Sequence, residues 1–378
     1  MSTITIREVS GKKDINEFID VLWQIYKPLN HPQWVPPLRL AVYESLDTKK
    51  NPFYQRATIQ LWIAYRDNKA VGRIAAIENK GHNEFYNDKT GFYGFFECID
   101  DAEVAKKLFD TAEAWLKARG LTSMMGPMNP STNHECGLLI RGQSQHPTLM
   151  TTWNPKYYET LHDQANLKKA KDLVAYIIMN NKGVELPKKV VDYVHRIRNS
   201  SRIKFRDFNL KDFEGEVDRC FEIYNSAWEK NWGFFPMTKD EFKFAAKDMK
   251  MIVDPRMAFM AEVDGKPAGF MLAVPDINYV QKRIPDGKLF PFGIFKLLLG
   301  KKMVNFVRII TLGVKPEYRG SGIFALFTYE AFERAKKFGY VGGEASWILE
   351  DNVAMNKPWQ DLGAPQYRLW RIYERPIV

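Results

Sequence analysis

Apolar stretches of strand length, cut by glycine and proline turns and separated by longer amphipathic segments, set the pattern of the C-terminal half. Ala258 to Val274 reads as two apolar runs joined at Asp264-Gly265, a dipeptide that accepts the positive backbone angles of a tight hairpin turn. Phe306 to Val314 is a further apolar run ending in a turn at Pro316, after which Arg319-Gly320-Ser321-Gly322 opens a helix reaching Gly339. Val341 to Leu349 predicts the next strand, and Ala364 to Pro376 a closing one. From 203 to 376 the order is strand, two helices, hairpin, strand, loop, helix, strand, helix, strand.

The first half carries the same signals in the same order. Ile4 to Asp14 parallels Ile203 to Asp212, with Arg7-Glu8 against Arg206-Asp207. Asp67 to Gly72 takes the hairpin position of Asp264 to Gly269, and the helix ending Lys117 to Gly120 matches the one ending Lys336 to Gly339. Asn154-Pro155 then precedes a final apolar strand, Asp172 to Met179. Preserved order across several short parallels indicates an internal duplication. The division expected is 1–182 for the first repeat, 183–202 for a linker with a helix over Val190 to Asn199, and 203–378 for the second repeat.

Strand, glycine turn and helix N-terminus make an anion site from backbone alone. The first N–H groups of a helix lack internal partners, and the helix dipole adds partial positive charge there. Glycines admit a phosphate close to the chain, and Arg319 adds a forked cation. The segment has neither the Lys-Ser/Thr ending of a P-loop nor a dinucleotide GxGxxG. With Val314 and Pro316 leading into Arg319 and Gly322, it resembles the coenzyme A pyrophosphate loop of the GNAT acyltransferases. Asn352 and Gly363 also sit at family spacings, while Phe324 stands where the family usually has glycine or alanine.

The resemblance implies an α/β (α+β) fold of two GNAT-like repeats, each a mixed, mostly antiparallel sheet flanked by helices. It implies an acetyl-CoA or longer acyl-CoA co-substrate, no metal, and coenzyme contacts from Leu312, Gly313, Val314, Arg319, Gly320, Ser321, Gly322, Ile323, Phe324 and Asn352. Aligning Gly120 with Gly339 places Asp100, Asp101 and Glu103 opposite Arg319, Gly320 and Gly322. Carboxylates there cap a helix and repel a pyrophosphate, so coenzyme binding is expected in the C-terminal repeat alone. In tandem proteins of this kind, such as the N-myristoyltransferases, the Fem aminoacyl transferases and mycothiol synthase, the other repeat helps shape the acceptor cleft.

N-acylation needs a base for the ammonium, an oxyanion stabiliser and an acid for the leaving thiolate. The family's usual positions for base and acid hold Trp347 and Trp359 here, so its catalytic pair does not carry over. Polar alternatives are Glu344, which shares a strand face with Ser346, together with Asp276 and Glu135. Arg308, charged within an apolar strand, reads equally as a structural ion pair or a functional group. Arg308, Asn278, Asn133, Trp347 and Trp359 are the substrate-side candidates, and turn chemistry accounts equally well for the polar loop Gly126 to Leu139 that carries Asn129, Asn133, His134 and Glu135.

Composition narrows the class. Lys and Arg exceed Asp and Glu by 55 to 45, a net charge of +10 that suits a coenzyme phosphate or an anionic membrane face; nucleic acid ranks last because no such motif accompanies it. Three cysteines in no paired spacing and six scattered histidines suggest neither a disulfide framework nor a metal site. No apolar run approaches about eighteen residues and no signal peptide is evident, so the expectation is a cytoplasmic chain, peripheral at most to the inner membrane face. Val280 to Met303, inserted where GNAT chains are short, mixes Phe290, Phe292, Phe295 and several leucines with lysines. Such a segment either packs on the other half or contacts a membrane or greasy substrate. The whole chain is similar to a bacterial GNAT family that includes the bacterial ceramide synthases, which implies a small-molecule or lipid amine acceptor such as a sphingoid base. Two other readings stay open: an acyl-CoA sensor without catalysis, and a Fem-like aminoacyl transferase.

Overall fold

The computed structural model describes residues 3–180 and 185–378. In chain order the elements are β1 (Ile4–Glu8), α1 (Gly11–Ile25), α2 (Arg39–Leu46), β2 (Ala57–Arg66), β3 (Lys69–Asn79), α3 (Lys80–Tyr86), β4 (Thr90–Cys98), α4 (Ala102–Lys117), β5 (Ser123–Gly126), β6 (Met128–Asn129), β7 (Glu135–Cys136), β8 (Leu138–Arg141), α5 (Tyr157–Gln164) and β9 (Lys168–Met179). There follow α6 (Lys188–Arg198), β10 (Ile203–Asp207), α7 (Phe213–Ala227), α8 (Lys239–Ile252), β11 (Ala258–Val263), β12 (Lys266–Pro275), α9 (Asn278–Gln281), α10 (Gly293–Gly300), β13 (Phe306–Val314), α11 (Ile323–Lys337), β14 (Gly342–Leu349), α12 (Val353–Asp361) and β15 (Gln366–Pro376). By contacts the chain forms two compact units: residues 1–173, 278–297 and 368–378 make unit 1, and 174–277 with 298–367 make unit 2.

In unit 1, β1, β2, β3 and β4 pair antiparallel in sequence order and β4 pairs parallel with β5. Strand alternation divides β2 and β3 between two cores. Trp62, Ala64, Ile74 and Ala76 pack with Val104, Leu108 and Phe109 of α4, whereas Leu61, Ile63 and Ala75 pack with Phe18 and Leu22 of α1. Both faces are covered, which is why these strands read as nearly continuous apolar runs.

Unit 2 repeats this order. β10, β11, β12 and β13 pair antiparallel and β13 pairs parallel with β14. Phe259 and Ala261 face Ile323 and Phe327 of α11; Met260 and Phe270 face Cys220, Ile223 and Ala227 of α7. The shared ladder order makes the duplication structural.

Chain order and contact order part at the closing strands. β15 pairs with β5 and β8 of unit 1. The neighbour of β14 is β9, whose residues from Val174 onward belong to unit 2. The insertion also divides, with Asn278–Leu297 in unit 1. There Trp23 Nε1 donates to Pro285 O at 2.7 Å, the Arg39 backbone N–H to Gly287 O at 2.9 Å, and Gln281 Nε2 to Pro36 O at 3.0 Å. The stretch 126–139, expected as a loop, forms a short hairpin in which Met128 and Asn129 pair with Cys136 and Glu135.

Candidate active site

The parallel ladder of unit 2 pairs Phe306–Ile309 with Gly342–Ala345 and stops, although β13 continues to Val314 and β14 to Leu349. Beyond that point the two strands fork, and among the described residues no strand pairs with the β14-facing edge of residues 310–314. Thr311 Oγ1, on the forked segment, is buried and has no hydrogen-bond partner among the described residues.

A buried polar cluster occupies the base of the fork. Arg308 and Glu344 are register partners, 3% and 0% exposed at their side chains, with Arg308 Nε 3.7 Å from Glu344 Oε1. Ser346 Oγ donates to Glu344 Oε1 at 2.5 Å and accepts from Arg308 Nε at 2.9 Å. The phenol of Tyr367 donates to the other carboxylate oxygen, Oε2. The Arg308 guanidinium also lies over the Trp347 ring, 5.0 Å from its centre. Burying two opposite charges costs solvation, which Coulomb attraction offsets only when hydrogen bonds satisfy the remaining atoms; here both carboxylate oxygens have donors. Only Tyr367 among these hydrogen-bonded polar side chains is half-buried rather than buried, so it links the sealed carboxylate outward.

At the far end of β13 the chain turns through Pro316–Tyr318 into Arg319–Gly322. Gly320 and Gly322 have φ of 81° and 88°, values L side chains rarely adopt. A Cβ on Gly322 would lie 2.0 Å from Ile197 Cδ1 and 2.8 Å from Tyr193 Oη, so α6 covers one side of this turn. Gly322 is the N-cap of α11 and supplies no side-chain hydrogen bond to the first turn. Ser321 Oγ is buried without a hydrogen-bond partner among the described residues, and Arg319 Nη2 donates to Ala227 O at 2.8 Å. Uncapped N–H groups, permissive glycines and an unsatisfied hydroxyl fit a bound phosphate.

The equivalent place in unit 1 is closed. The Asp101 carboxylate accepts from Glu103 and Val104 N–H at 3.0 and 3.1 Å, capping α4, and pairs with Arg66 at 2.5 Å. Burial works to raise the Asp101 pKa, but the Arg66 bond and the two N–H donors together hold it below the usual range. The unit 1 fork, where β4 leaves β5 after Phe92 and Met125, is filled by β6: Phe95 N–H donates to Asn129 Oδ1 at 2.6 Å, and a Cβ on Gly94 would fall 1.6 Å from Met128 O. His134, bonded through Nδ1 to Ser131 Oγ at 2.8 Å, is pushed down to about 4 by burial.

The remaining candidates fall elsewhere. Asp276, buried at the end of β12, donates its backbone N–H to Phe306 O at 2.8 Å. Asn278 Nδ2 donates to Pro147 O at 3.0 Å within unit 1, where Asn133 and Glu135 belong to the hairpin segment. Trp359 is 2% exposed and packs with Val174, Tyr176, Ala345 and Ile348. Asn352 caps α12 by accepting from Met355 N–H at 3.2 Å, and the Phe324 ring packs on the unit 2 core rather than standing free. Tyr367, Tyr193 and Ile197 escaped the sequence reading; a tyrosine at the start of a strand and an amphipathic linker helix carry no motif.

Residues 217–363 match the family model described as the acetyltransferase (GNAT) family. The chain is 35% identical over 383 aligned residues to Protein YghO of Escherichia coli strain K12, covering 98% of this chain and 95% of that protein. It is 34% identical over 355 residues to the bacterial ceramide synthase of Caulobacter vibrioides, covering 92% and 91%. Among solved structures, a tandem GNAT protein from the clavulanic acid biosynthesis pathway superposes with a TM-score of 0.57 at 11% identity, covering 100% and 99% of the two chains. A GCN5-related N-acetyltransferase from Sphaerobacter thermophilus gives 0.53 at 12%, covering 99% and 96%. With the fork, the glycine turn and the doubled sheet order already in place, these matches establish that the chain belongs to the acetyltransferase (GNAT) family.

Proposed function

We propose that this chain transfers an acyl group from acyl-CoA to an amine, with the coenzyme held by unit 2 alone. The observation that carries the reading is the contrast between two equivalent helices: α4 is capped by Asp101, whereas the N-terminus of α11 is left uncapped behind Gly320 and Gly322. The coenzyme pyrophosphate would take the free N–H groups of Gly322 to Phe324 and the Ser321 hydroxyl, with Arg319 supplying charge. Leu312 to Val314 would offer backbone donors to the thioester oxygen along the forked edge. Acyl-CoA brings an activated carbonyl and a thiolate leaving group; the chain must remove a proton from the attacking ammonium and return one to sulfur. Glu344 at the base of the fork is the group we assign to this proton traffic, reached through Tyr367 and Ser346 and paired with Arg308.

The acceptor class is a lipid amine, of which a sphingoid base is the leading example. The named activity of the Caulobacter relative and the apolar insertion support it. A thiol-release assay with acyl-CoA and amines ranging from polyamines to sphingoid bases tests the reading, paired with calorimetry of CoA binding. One CoA per chain, abolished by Arg319→Glu, and turnover only with a long-chain amine are expected. Binding without turnover on any amine would leave an acyl-CoA sensor, and no CoA binding would overturn the coenzyme assignment.

A further inference from the structure

The insertion between β12 and β13 is anchored on one side and bare on the other. Ile284 is buried, and the hydrogen bonds from Trp23, Arg39 and Gln281 fix its backbone to unit 1. Outward from this base, Phe290, Phe292 and Phe295 stand 73%, 72% and 61% exposed. Phe295 and Leu299, four residues apart, share one side of α10, Phe292 stands immediately before its first residue, and Leu299 is exposed as well. Folding normally hides large side chains of this kind, and a cluster of them held out by an ordered base marks an interaction surface.

Charge selects the occupant. Lys282, Arg283, Lys288 and Lys296 are exposed in the same segment, against one exposed carboxylate, Asp286, whose Oδ1 accepts the Lys288 N–H at 3.1 Å. Lys296 also keeps its ammonium 3.1 Å from Arg283 O. Two copies of this face brought together would oppose their cations, whereas an anionic lipid surface matches both the aromatic seat and the basic flank.

We propose that the face built by Phe290, Phe292, Phe295 and α10 docks the protein on anionic phospholipid membranes. The docking stands independently of the acyltransfer chemistry; if the acceptor is a lipid amine, it brings the enzyme to the phase that holds its substrate. The aromatic rings enter the headgroup boundary, and the lysines remain at phosphate level.

Flotation of the full-length chain tests this, using vesicles of phosphatidylcholine alone and vesicles of two parts phosphatidylcholine to one part phosphatidylglycerol. The mixed vesicles are expected to retain the protein at low salt, with retention falling as salt rises. Phe290→Ser, Phe292→Ser and Phe295→Ser combined should weaken partitioning by about a hundredfold or more, and Lys288→Glu with Lys296→Glu by about fivefold or more per site. Unchanged CoA affinity by calorimetry shows that both variants are folded, since every altered side chain is exposed. Equal binding to both vesicle types, or a triple-serine variant that floats like the parent, overturns the proposal. A parent that ignores vesicles yet dimerises in solution, with the triple variant monomeric, also overturns it and makes the face a self-contact.

Discussion

The buried pair at the base of the fork can be separated into structural and chemical roles by a double substitution. Glu344→Met alone leaves Arg308 buried at 3% exposure facing Ser346 and Trp347 without the carboxylate. Breaking a buried ion pair by removing one member costs about 3–5 kcal/mol, so the single variant should melt far below the parent. Arg308→Met together with Glu344→Met removes both charges and keeps the volume apolar. Replacing a buried ion pair in this way is neutral or stabilising by about 1–4 kcal/mol, so the double variant should recover most of the lost stability. Tyr367→Phe removes one donor to a buried carboxylate, a loss of about 1.5–3 kcal/mol. Chemical denaturation gives the stabilities, and thiol release at saturating acyl-CoA and amine gives kcat. If Glu344 handles protons, the stable double variant should still lose about 100-fold or more in kcat. A double variant as stable as the parent with kcat within about threefold would falsify the catalytic assignment, because a group contributing at least 100-fold cannot be dispensable.

Gly322→Ala should lower CoA affinity and destabilise by about 2–4 kcal/mol, combining the left-handed backbone penalty with overpacking against Ile197. Ile197→Ala added to it should recover only the overpacking share, and full recovery by melting temperature would contradict the backbone contribution. Asp101→Ala should cost about 1 kcal/mol of stability as a lost helix cap. CoA affinity measured by calorimetry should not change in that variant. His134 and His162 are both pushed down to about 4 by burial, so the unfolded chain binds protons that the fold refuses. Their stabilisation is fully present above about pH 6.5 and is lost as pH falls towards 4, by about 2 kcal/mol each near pH 5. Denaturation midpoints at pH 7 and 5 check the sign, and His134→Phe should flatten the slope.

Much of the fold was legible because it rests on local chemistry. Asp264-Gly265 specifies a hairpin, and the φ values of Gly320 and Gly322 explain why glycine stands at those positions. Asp101 reads as a helix cap from its place alone, and it is one. Apolar periodicity gave the strands of both repeats and hence their shared order. The alternation of Glu344 and Ser346 put both on one strand face, and they are hydrogen-bonded.

What the tertiary structure decided are the pairings whose partners lie far apart in the chain. β9 and β15 are both apolar strands that follow a helix, and nothing in either pattern says which strand each will pair with; the folded chain puts β15 beside β5. The spacing of Trp359 from Asn352 could not show that it packs with Val174, Tyr176 and Ile348, since an indole's burial depends on what surrounds it. Tyr367 gained its importance only when β15 began beside the carboxylate of Glu344, 23 residues away in sequence. Hydrogen-bond and ion-pair partners are chosen by distance in space. Local sequence sets which groups can bond, and the fold sets which ones meet.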